Sequence, residues 1–112
     1  MAARTTNTQV RLAARPVGAV KDSDWEIVEE PAPTPGDGEF TVAVSHISLD
    51  PAMRGWMNAG ASYIEPVELG AVMRAGALGT VTASRHPGFA VGDHVLGAFG
   101  VQEHALSNGA GI

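Results

Sequence analysis

The chain has 112 residues, is 45% hydrophobic and carries a net charge of -5. That length suits one domain, and that apolar content supports a core and excludes wholesale disorder. The acidic balance (pI near 5.2) and the scatter of the basic side chains argue against a nucleic-acid partner, and the absence of cysteine excludes disulfides and thiolate metal ligands.

Fourteen glycines and seven prolines predict many turns and short elements, as in a β-barrel or sandwich rather than a helical bundle. The polar start MAARTTNTQV has no apolar stretch of the secretory kind. No run approaches the roughly 20 apolar residues that cross a bilayer. The expectation is a cytoplasmic protein with no membrane partner.

Residues 1–8 read as a frayed leader. NTQVRLAARP reads as a first strand stopped by Pro16, and DWEIVEE as a second, with Trp25 and Ile27 on one face and Glu26 on the other. PAPTPGDGE reads as an exposed connection, because its prolines fix φ and remove donors. FTVAVSHISL is the clearest strand, with Phe40, Val42 and Val44 alternating against Thr41, Ala43 and Ser45. Asp50-Pro51 then signals a turn, and AMRGWMN suits one helical turn, with Asp50 as N-cap and Pro51 at the first position. Residues 59–66 read as a loop.

VELGAVMRAGALGTVTAS is a near-continuous apolar stretch broken by glycines, as where a barrel strand bends. A tight Gly92-Asp93 turn precedes another strand, and VQEHALS is a last short one. The predicted fold is mainly β, a partly open barrel with one or two short helices.

Four segments in this order carry a resemblance: PGDGEFTVAV, SLDPAMRGWM, PVELGAVMRAGALGTV and GFAVGDHVLG. Together they resemble the N-terminal, GroES-like catalytic domain of the medium-chain dehydrogenase/reductase superfamily. The D-P-x-M-R core is similar to the zinc-independent branch of prostaglandin reductases and alkenal double-bond reductases. The resemblance implies an NADPH-dependent reductase passing hydride to the C=C bond of α,β-unsaturated aldehydes or ketones, or to quinones. On it, Asp50, Pro51, Met53 and Arg54 are cofactor-side residues, and Tyr63 is the catalytic candidate on a loop over the substrate. Zinc-dependent relatives carry a G-H-E triplet where this chain has Gly70, Ala71 and Val72, so no metal site is expected. Ala52 stands where plant relatives often have tyrosine.

No G-x-G-x-x-G follows a strand, so the main NADPH site is expected outside residues 1–112, on a Rossmann nucleotide-binding domain that this stretch lacks. The stretch alone is then expected to be inactive, and the whole protein to be a homo-oligomer, a dimer. The rival reading is a non-enzymatic GroES-like binding or assembly module. Plainer readings stand beside the sharper ones. Arg54 pairs with a carboxylate such as Glu68, or faces the cofactor. Met53, Trp56 and Met57 are at helical spacing, with at least one facing inward. Tyr63 covers substrate or is a surface aromatic. His46, His86, His94 and His104 share no ligand spacing.

Overall fold

The computed structural model describes residues 6–60, 65–110 and 112. Its strands are β1 (Thr6–Leu12), β2 (Trp25–Pro31), β3 (Phe40–Ile47), β4 (Ala77–Ser84), β5 (His94–Gly97) and β6 (His104–Ser107), and the helix α1 (Ala52–Trp56) follows β3. β1 and β2 form an antiparallel ribbon, and the other four form a sheet in the order β5-β4-β3-β6. The fold is mainly β with one short α-helix and one 3-10 turn (Asp22–Asp24). Among the described residues no helix is long and apolar enough to cross a membrane.

β1 joins the ribbon to the rest. Its Val10 N–H donates to the Val101 carbonyl, its Leu12 N–H donates to the Ala71 carbonyl, and its Val10 carbonyl accepts from Met73. Single bridges Gln9–Gln102 and Arg11–Val72 replace a continuous ladder, so the two sheets curve together without closing among the described residues. These pairings overturn the reading of residues 1–8 as a frayed leader from Thr6 onward. Asn7 is buried, donates through Nδ2 to the Gln102 side chain and accepts from the His104 N–H. The first strand ends at Leu12 rather than Pro16, because the Ala13 and Ala14 N–H groups turn to the Asp24 carbonyl.

Alternation along β3 places Phe40 and Val42 in a buried cluster with Ala77, Val81, Val95, Phe99 and Ala105. Phe40 stacks on Phe89 at 4.2 Å between centroids, and His86 meets Phe89 edge-on. The apolar stretch 67–84 is strand only over Ala77–Ser84. Its first half is an irregular segment whose backbone serves β1. A second cluster gathers Leu12, Met53, Met57, Val67, Met73 and Ala75 beneath α1. Burying each such side chain contributes on the order of 1.5–3 kcal/mol.

A candidate apolar cleft built on the D-P-x-M-R segment

The turn after β3 is set locally. The Asp50 carboxylate accepts from the Ala52 N–H at 2.8 Å, and the Asp50 carbonyl accepts from Met53 at 3.0 Å. Pro51, with φ of -56°, stands directly before the first helical residue. The helix boundary thus lies one residue later than an Asp50 N-cap implies, and Asp50 acts through an Asx turn. Helical spacing turns Met53 and Met57 inward, where both are buried. Trp56 packs at the margin of the same cluster with the Arg74 guanidinium 5.5 Å from its ring centroid.

Above this cluster lies a cavity of about 560 Å³. One wall is the ribbon, through Val10 and Trp25; the other is the segment Leu49, Asp50, Pro51, Met53, Arg54 and Met57; Met73 and Val101 form the floor. The lining is overwhelmingly apolar. A second hollow of about 370 Å³ shares Val10 and Val101 and carries polar groups, among them Ser45, Gln102 and Glu103. The Glu103 carboxylate accepts from the Thr8 N–H, and this bond holds its pKa below the usual carboxylate value.

Asp50, Pro51, Met53 and Arg54, named from the sequence, all line the one cleft. Tyr63 lies outside the described residues. Sequence reasoning missed Val10, Trp25, Met73 and Val101. They come from four separate segments, and only the inward face of Trp25 is signalled by strand alternation. Ile27, expected on that same face, is 72% exposed and belongs to neither buried cluster among the described residues.

Arg54 does not pair with Glu68. Its Nε and Nη2 donate to the Gly18 carbonyl, Nη2 also to the Pro16 carbonyl, and Nη1 to Asn58 Oδ1. The Gly70-Ala71-Val72 stretch is spent on backbone pairing with β1. Among the described residues no three His, Asp or Glu side chains are grouped to hold a metal. The Trp56 Nε1 and Arg74 Nη1 donors are buried without an acceptor among them.

Residues 8–112 match the family model described as the N-terminal domain of oxidoreductase. The chain is 41% identical over 98 residues to the NADPH-dependent curcumin reductase of Escherichia coli, covering 88% of this chain and 28% of that protein. It is similar to the crystal structure of CurA from Vibrio vulnificus, with a TM-score of 0.90 and 43% identity over 95% of this chain and 31% of that one. The structure of that protein in complex with NADPH gives a TM-score of 0.88 at 42% identity, over 94% of this chain and 31% of that one. The chain thus spans about 30% of the length of these relatives. The likeness read from SLDPAMRGWM and the segments around it is borne out: the chain belongs to the family of oxidoreductase N-terminal domains, on the zinc-independent medium-chain reductase branch.

Proposed function

We propose that residues 1–112 are the substrate-side domain of an NADPH-dependent reductase acting on the C=C bond of enals and enones, or on quinones. The nucleotide-binding domain lies outside this stretch, and the protein works in the cytoplasm as a dimer. The observation that carries the reading is the convergence of Asp50, Pro51, Met53 and Arg54 on one apolar cleft, in a chain similar to a curcumin reductase.

The cleft fits the nicotinamide end of the cofactor and not its phosphates. Apolar walls of this volume accept a flat ring. No anion cradle accompanies them: the carboxylate of Asp50 already occupies the Ala52 N–H at the start of α1, and the Arg54 fork donates to protein oxygens. NADPH, when bound, supplies the hydride. The chain's own part is to exclude water and orient the alkene between Trp25 and the methionines Met53, Met57 and Met73. A dry cleft strengthens every hydrogen bond made to the carbonyl oxygen as charge develops there. Asp50, held in its turn, shapes the rim. In this reading Tyr63 lies over the substrate, its ring packing on the alkene.

The test is the full-length enzyme assayed with NADPH and short and long enals, as wild type, Tyr63→Phe and Tyr63→Ala. Ring packing predicts a nearly silent Phe variant and a raised KM for Ala. A phenol bonded to the enone oxygen predicts instead a loss of kcat of about ten-fold or more in the Phe variant. Wild-type kcat/KM in both variants removes Tyr63 from the site. Absence of any NADPH-dependent turnover of enals, enones or quinones overturns the reading and favours a binding module.

A further inference from the structure

The two walls of the cleft are joined at one end by arginines that cross in opposite directions. Arg15, on the connection between β1 and β2, donates from Nη1 to the Met57 carbonyl at 2.8 Å, just past the last residue of α1. Arg54, on α1, donates back to the carbonyls of Pro16 at 3.1 Å and Gly18 at 2.9 Å and 3.2 Å. Among the described residues these are the hydrogen bonds that tie residues 13–24 to residues 50–58.

α1 depends on its surroundings for its place. Five residues with a glycine among them are far too few to be helical alone. Beyond its own turns the helix has the packing of Met53, Trp56 and Met57 in the cluster with Leu12 and Trp25, Arg74 over the Trp56 ring, and one backbone bond, from the Val67 N–H to the Trp56 carbonyl. None of these apolar contacts is directional, so they do not by themselves fix the gap between the walls. Donors that carry charge make hydrogen bonds roughly twice as strong as neutral ones. A planar fork also fixes orientation, which a lysine ammonium does not.

Resting on the cleft reading above, we infer that Arg15 and Arg54 form a reciprocal latch that sets the separation of the ribbon wall from the helix wall, and so selects apolar ligands by size. Both are positioning residues. Arg54 acts on ligands chiefly through the Pro16–Gly18 backbone. The methionines Met53, Met57 and Met73 repack readily around different shapes, so the spacing of the walls, rather than their composition, is what discriminates.

Trp25, Met53 and Arg54 line the cleft, and its occupancy is read by isothermal titration calorimetry on the full-length protein. The probes are cinnamaldehyde, a one-ring enal, and chalcone, a two-ring enone, titrated against wild type, Arg15→Lys and Arg54→Lys. The lysine variants keep the charge and remove the fork. A loosened latch weakens the binding of the small probe, which depends on a preset gap, more than that of the large one. The ratio of the two dissociation constants is expected to shift by about five-fold or more toward chalcone in each variant. Equal shifts for both probes, or none, overturn the latch while leaving the cleft reading intact. No saturable binding of either probe in wild type overturns the cleft reading and the latch with it. Near-ultraviolet circular dichroism checks the fold. Collapse of both lysine variants also overturns the latch, since the arginines then serve stability rather than selection.

Discussion

At the scale of single residues, the close approaches of the backbone matter most. Gly79 pairs with Val44, where β3 carries a register shift, and a side chain there meets the Val42 side chain and, at 2.5 Å, the Ala43 carbonyl oxygen. Neither neighbour has room to withdraw, since Val42 is fully buried. Gly79→Ala is therefore expected to cost about 2 kcal/mol or more, by the overpacking of a full core. The urea midpoint should fall with an unchanged slope; an unchanged midpoint refutes the claim. The glycine marks a bend in the sequence, but the reason for it is not legible there. The clash involves the partner strand, and a register shift leaves no mark in one-dimensional spacing. Arg54 teaches the same lesson. Its charge suggested a carboxylate, yet the main-chain oxygens of Pro16 and Gly18 are its partners. Carbonyls are present at every residue and so give no sequence signal.

At the scale of elements, strand alternation located β3, the Gly92-Asp93 turn signalled β5, and the Asp50-Pro51 signal located the helix of the D-P-x-M-R segment. The connection before β2 depends on one buried carboxylate. Asp24 accepts from Lys21 Nζ at 2.8 Å and from the Lys21 N–H at 3.0 Å, while its carbonyl receives Ala13 and Ala14. The side-chain bond from Lys21, then the backbone bond, hold its pKa below the ordinary 3.8, against the opposing pull of burial. The charged form is the one that is bound. Stability from Asp24 is therefore complete above the unfolded value and is lost as pH falls through the lower folded value. Glu103 adds to it with the same sign. The acid limb of unfolding should thus steepen below about pH 4. Asp24→Asn should lower the melting temperature at pH 7 and reduce the difference between pH 7 and pH 3. A variant that melts like wild type at both pH values contradicts this.

At the scale of the whole molecule, the cleft side leaves apolar area uncovered. Leu49 is 84% exposed at the cleft, and Ile27 on the ribbon is 72% exposed. Contiguous apolar surface of several hundred Å² commonly drives association. The 112-residue chain is expected to self-associate in sedimentation and to bind a hydrophobic dye, with Leu49→Lys weakening both. A species that stays monomeric at every concentration and binds no dye counts against it.

The sequence by itself determined the fold class and the family, because strand alternation, turn residues and the D-P-x-M-R segment are local in the chain. It also placed four lining residues within five positions of one another, since one turn and one helical turn present them together. Tertiary structure alone decided the opposite wall. Val10, Trp25, Met73 and Val101 meet only because β1 takes its hydrogen bonds from segments about 60 and 90 residues away. The register of the ribbon likewise decided that Thr6 is strand, where the sequence reads a leader. Contacts of that range are fixed by which backbone donors find acceptors once the sheets curve together, and no spacing along the chain encodes that outcome.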